Sequence, residues 1–149
     1  MNIKEELFKQ CVAYVNKRMK TIEEIISSNK KALQSETKSS AGDKHETGRA
    51  MLQLEMEKAS QQLSGVGKMK ETLSKINLER VTDVAHLGNV VITDKNAYFL
   101  SISSGQLKVA DKVYFSVSVS SPIGRSLLGK KATESFVFNG NKQTIKEIF

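Results

Sequence analysis

The sequence predicts an α+β protein: an N-terminal antiparallel coiled-coil helical hairpin followed by a small β-sheet domain with one short helix. Three observations predict it. Apolar residues recur at helical spacing over residues 3–33 and again over 47–76. After Ile76 the period changes to short segments rich in Val, Ile, Phe, Tyr and Ser. Between two of those segments, "SSPIGRSLLGKK" carries helix start and stop signals.

In the first helical stretch Phe8, Val12, Val15, Met19, Ile22 and Ile26 step by 4, 3, 4, 3, 4, and the series continues to Asn29 and Leu33. That is a heptad-spaced seam with one polar interruption. In the second, Leu52, Met56, Ala59, Leu63, Val66, Met69, Leu73 and Ile76 repeat the pattern. Each seam is an amphipathic stripe that needs a cover. Two of matching length, joined by a polar turn at about residues 36–46, cover each other as a hairpin. With about 30 residues per arm at 1.5 Å rise, the hairpin is roughly 45 Å long. Gly65 and Gly67 interrupt the second arm. Each costs about 1 kcal/mol against Ala inside a helix, so they predict either a kink or a close approach of the other helix. A phosphate-cradling loop is the sharper alternative, but no strand precedes them.

The second half, 77–149, reads as about five strands and one helix. "GNVVITD", "NAYFLSIS" and "KVYFSVSVS" are strand segments. "ESFVFNGNKQTIKEIF" is strand, Asn-Gly turn, strand, a strong hairpin signal. In "SSPIGRSLLGKK", Ser121 suits an N-cap, Pro122 the first helical position and Gly129 the residue just past the C-terminus. The domains therefore divide as 1–76 and 77–149.

Composition narrows the function classes. The chain has 149 residues, 39% hydrophobic and 26% charged, a folding composition. It lacks an apolar run of roughly 18–20 residues, and "MNIKEELFKQ" does not read as a signal peptide. One cysteine, Cys11, excludes an internal disulfide and fits a reducing cytoplasm. The net charge is +7, spread as 14 Lys/Arg against 10 Asp/Glu over 1–76 and 9 against 6 over 77–149. This suits an acidic partner or nearby nucleic acid without supplying a dense phosphate-binding stripe.

Intrinsic catalysis finds little support. Cys11, His45 and His86 have no zinc-ligand spacing, and Cys11 lies beside the seam position Val12, where an inert buried thiol is the common case. No nucleophile elbow or Walker motif is present. Asp43 and Glu46 in the turn "SSAGDKHETGRA" remain. Their spacing is that of a capping box, with Asp43 as N-cap and Glu46 at the third helical position. That reading accounts for the shape of the turn.

Two segments together carry a family resemblance. The tip "GDKHET" matches Gly-Asp-x-x-Glu through Gly42, Asp43 and Glu46. "SPIGRSLLGKK" matches Ser-Pro-hydrophobic-x-x-x-Leu-hydrophobic-Gly-Lys through Ser121, Pro122, Leu127, Gly129 and Lys130. In this order, on this layout, the chain resembles the bacterial Gre transcript-cleavage factors, the GreA/GreB family, over nearly its whole length. The resemblance implies an FKBP-like C-terminal domain that docks on RNA polymerase through the segment Ser121, Pro122, Ile123, Gly124, Leu127, Gly129 and Lys130. It implies that the hairpin enters the secondary channel, where Asp43 and Glu46 help hold a Mg2+ ion shared with the polymerase. The polymerase's own site would then hydrolyse a backtracked RNA near its 3′ end. The protein would not be an enzyme alone. Its partners would be RNA polymerase and the nascent RNA, with no sequence-specific DNA contact and no membrane, in the cytoplasm.

The family often has Asn directly after the Glu, a Tyr slightly later and an Arg four residues before the Asp. Here those positions are Thr47, Arg49 and Ser39. Lys38, Lys44 and Arg49 are candidates for the missing charge contacts to RNA or polymerase. Two alternatives follow: a channel-binding regulator without cleavage activity, or a structural coiled-coil protein whose tip acids only cap a helix.

Overall fold

The computed structural model describes residues 2–38 and 43–149, with side chains described for 2–35 and 47–149. In chain order it contains α1 (Ile3–Lys38), α2 (Asp43–Ser74), β1 (Val90–Thr93), β2 (Ala97–Ser101), β3 (Gly105–Val109), β4 (Lys112–Ser118), α3 (Pro122–Leu127), β5 (Ser135–Phe138) and β6 (Asn141–Ile148). The predicted class holds: two long helices, then a sheet with one short helix.

The chain forms two compact units, Val15–Lys70 on one side and Met1–Tyr14 with Glu71–Phe149 on the other. The change of hydrophobic period at Ile76 falls just past the end of α2 at Ser74, and the first strand begins at Val90. The units of packing divide within the helices instead, because the first turns of α1 and the last residues of α2 belong with the sheet.

In the Val15–Lys70 unit the two helices run antiparallel. Arg18 Nη1 lies 3.9 Å from Met69 Sδ near one end. Further along, Thr21 to Asn29 share a groove with Glu55 to Gln62. The predicted seam is the buried one: Val15, Ile22, Ala59 and Val66 are fully covered, and Met19, Ile26, Leu33, Leu52, Met56, Leu63 and Met69 are half-buried. Asn29 takes its place in the seam and is buried too. The expected close approach at the glycines is not found. A Cβ at Gly65 or Gly67 would meet nothing within 4 Å, both are exposed, and α2 continues through them.

The other unit is built on one six-stranded sheet, in the order β3-β4-β2-β1-β6-β5. β2 and β4 run parallel and the remaining neighbours antiparallel. Five strands were expected. The sixth, β3, carries apolar residues only at Leu107 and Val109. It pairs with β4 through a turn at Ala110 and Asp111, whose φ angles are 51° and 65°. An edge strand needs little hydrophobic content, and a left-handed turn made without Gly or Asn has a weak signature. The Asn139-Gly140 turn, with φ of 51° and 79°, joins β5 to β6 as predicted.

β2 is buried along its whole length because both sheet faces are covered. On one face Tyr98 and Leu100 join Ala85, Val91, Leu127, Phe136 and Ile145 in the core. On the other, residues of the first turns of α1 approach the sheet. Cys11 is fully buried, with its Sγ 3.4 Å from Ser116 Oγ and 3.8 Å from Ser101 Oγ, and Gln10 Nε2 donates to Lys108 O at 2.9 Å. Cys11 is thus a buried thiol, as its position suggested, but its surroundings are serine hydroxyls of the sheet.

Candidate functional site

The turn of the hairpin and the α3 segment are the two candidate regions. At the turn, α1 ends at Lys38 and α2 begins at Asp43. Asp43, Lys44 and Glu46 therefore lie in the first turn of α2. Their side chains and that of Lys38 lie outside the described residues, as do Ser39 and Gly42 altogether. Thr47 and Arg49 are described, and both are exposed on α2. Among the described residues no group of three or more His, Cys, Asp or Glu side chains is arranged to hold a metal.

The α3 segment is described fully. Ser121 is the N-cap: its Oγ accepts from Gly124 N at 3.1 Å and donates to Ser118 O at 2.6 Å. Pro122 occupies the first helical position, where its missing N–H costs nothing. Gly124 is buried against the end of β4. A Cβ there would fall 1.9 Å from Ser118 O and 2.8 Å from its carbonyl carbon. Leu127 is fully buried in the core, and Ile123 packs at its edge. Leu128 N closes the helix onto Gly124 O at 2.9 Å. Gly129 follows with φ +82°, the left-handed conformation that ends many helices. The chain is then fastened to residues 84–85: Gly129 N donates to Ala85 O, and Ala85 N to Lys130 O, both at 2.8 Å.

This assigns the motif residues to two classes. Ser121, Gly124, Leu127 and Gly129 shape and anchor the segment. Pro122, Arg125, Leu128 and Lys131 present exposed side chains, with Leu128 43% accessible; the Gly129 backbone is exposed beside them, and Lys130 is half-buried. Arg125, Leu128 and Lys131 were not singled out from the sequence. Helical spacing alone does not separate them, since each of 125 and 128 lies only one residue, about 100°, round from the buried 124 and 127.

Beside α3 lies a groove of about 310 Å³ on the same sheet face. Phe115, Val117, Ile123 and Phe138 give it apolar walls. Tyr98, Asn96 and Gln143 supply a polar line at one side: Asn96 Nδ2 donates to Tyr98 OH at 3.1 Å, and Tyr98 OH donates to Gln143 Oε1 at 3.1 Å. Thr93 Oγ1, 2.8 Å from Gln143 Oε1, completes the network. Apolar walls with a few fixed polar groups are the usual make-up of a binding groove. This groove is not legible in the sequence, because its residues come from β2 and the turn before it, β4, α3, β5 and β6.

No family model and no curated protein matches this sequence. Among solved structures, the chain is similar to one described as the transcription factor Gfh1. The identity is 18% and the TM-score 0.35, over 89% of this chain and 87% of that one.

Proposed function

We propose that this protein binds RNA polymerase as a Gre-like elongation factor and stimulates hydrolytic cleavage of backtracked RNA. The observation that carries the reading is the start of α2. It places both acids of the tip motif in the first turn of a helix, at the end of the hairpin away from residues 15 and 70. Two carboxylates there match what Mg2+ takes from a protein: one or two carboxylate oxygens, with the other ligands from water or substrate phosphates. The helix N-terminus favours their ionised form. Asp43 and Glu46 would hold the ion together with oxygen ligands of the polymerase site. A second metal supplies electrostatic stabilisation of the attacking and leaving oxygens in phosphodiester hydrolysis. Lys38, Lys44 and Arg49 flank the acids and would meet RNA phosphates or acidic polymerase groups. The protein acts as a cofactor of the polymerase's endonucleolytic activity.

The docking surface would be α3 and the groove beside it. Exposed Pro122, Arg125, Leu128 and Lys131 offer an apolar and basic face, held in shape by the Ser121 cap, buried Gly124 and Leu127, and the turn at Gly129.

The test is RNA length in a backtracked polymerase complex with Mg2+. Shortening is expected with the native chain. It is expected to disappear in Asp43→Asn and Glu46→Gln while polymerase binding persists. Binding without shortening would remove cleavage and leave a channel-binding regulator, the reading that Thr47 and Arg49 favour. No binding would leave a structural coiled-coil protein.

A further inference from the structure

The sheet unit carries a second cavity, on the face away from α3. Ser116 of β4 meets Cys11 of α1 on that face, and Tyr114, two residues earlier on the strand, points to the same side. Beside Tyr114 a space of about 500 Å³ opens between the start of α1, β1, the β3–β4 turn and the end of β6. Ile3, Ile92, Val109 and Phe149 give it apolar walls, and Lys112, Tyr114 and Glu147 supply its polar groups. All of them belong to the sheet unit.

Tyr114 is only 2% accessible. Its hydroxyl makes no hydrogen bond among the described residues, yet it is not sealed off, since Asn29 Nδ2 is the fully buried side-chain atom left unmet there. The hydroxyl therefore opens onto the cavity that Tyr114 lines. Burial, and the Glu147 carboxylate nearby, hold its pKa above the ordinary 10.0, so at neutral pH it is an uncharged donor.

Two opposite charges flank it. Lys112 Nζ lies 5.5 Å from the centre of the Tyr114 ring. Glu147 comes from β6, which β1 and β2 separate from β4. Three strand spacings put the two backbones roughly 14 Å apart, and among the described residues Lys112 and Glu147 form no ion pair. A cation, an anion and a neutral donor thus face one apolar space without satisfying one another.

We propose that this cavity binds a free α-amino acid with an apolar side chain. The Tyr114 hydroxyl and the Lys112 ammonium take the α-carboxylate, and Glu147 takes the α-ammonium. The side chain lies against Ile3, Ile92, Val109 and Phe149. Charge complementarity selects the zwitterion: an apolar acid leaves Glu147 without a partner, and an apolar amine leaves Lys112 and Tyr114 without one. Apolar walls with a few convergent polar groups are the usual make-up of a small-molecule site. The site does not depend on the polymerase reading.

Titration calorimetry of the full chain with leucine and with phenylalanine tests it. Saturable binding of both is expected. Glycine, isocaproate (leucine without its amine) and isoamylamine (leucine without its carboxylate) should each bind about tenfold more weakly or worse. Tyr114→Phe and Glu147→Gln should each weaken leucine binding by about tenfold. The Tyr114 hydroxyl makes no bond within the chain and Glu147 is exposed, so the urea midpoint should stay where it is in both variants. Absence of saturable binding by either amino acid overturns the proposal. So does an affinity that glycine, isocaproate or isoamylamine matches, or one that neither substitution changes.

Discussion

The hairpin and the sheet unit keep their shape by different means. In the hairpin, one linear rule accounts for nearly every buried residue: the 4,3 step from Val15 to Leu33 and from Leu52 to Met69. Each contact repeats the last, so glycines at 65 and 67 and an asparagine at 29 fit without breaking the pattern. In the sheet unit the contacts are singular. Gly124 meets one carbonyl, Ser121 caps one turn, and Ala85 exchanges two hydrogen bonds with the chain after α3. The difference teaches where change is tolerated. Repetition spreads a defect over many similar layers, whereas a singular contact has no substitute.

The largest expected effect breaks the singular side. Gly124→Ala drives a methyl into the backbone of Ser118, which a flexible side chain cannot relieve. A loss of roughly 3 kcal/mol is expected in urea unfolding, and any polymerase binding through α3 should weaken with it. An unchanged urea midpoint would show that α3 can shift away from β4.

Asn29→Leu tests the repetitive side in the opposite direction. Removing an unmet donor and adding apolar surface to the seam should stabilise the hairpin by about 1–2 kcal/mol, measured at one fixed protein concentration. Destabilisation would mean that Asn29 makes a needed hydrogen bond.

Gly65→Ala and Gly67→Ala are expected to stabilise by about 1 kcal/mol each and to add, because a Cβ at either site meets nothing. Thermal unfolding of the single and double variants measures this. A fall in the midpoint would show a contact there in solution.

The smallest effect concerns pH. Lys4 is buried, and its Nζ reaches Arg80 O at 3.4 Å. Desolvation holds its pKa below the ordinary 10.5. Between the lowered value and 10.5 the unfolded chain binds more protons than the folded one, so stability rises with pH across that window. Lys4→Met should flatten that rise in urea titrations run at increasing alkaline pH, and a slope equal to that of the native chain would count against the burial penalty.

The legible part of the fold was the part governed by local or periodic rules. Both helical seams, the Asn139-Gly140 turn and the cap–proline–glycine frame of α3 could be read because each depends on neighbours within a few residues. β3 could not, since an edge strand needs few apolar residues and its turn uses Ala110 and Asp111 in place of Gly. The candidate site divides in the same way. The segment 121–130 was visible as a motif, but which of its residues anchor and which face outward was not. That depends on β4 and residues 84–85, far away in sequence. The tip acids were visible as spacing, and their part in metal binding rests on the resemblance and awaits the cleavage assay.

By itself, then, the sequence determined the two-helix seam, the change from helical to strand period after Ile76 and the frame of α3. Those follow from periodicity and backbone preference, which act over one or two turns. Only the tertiary structure decided that Cys11 sits among sheet serines, that Gly124 leaves no room for a methyl, and that the first and last turns of the long helices belong with the sheet. These are contacts between residues distant in the chain, and they exist only once the elements are placed against one another.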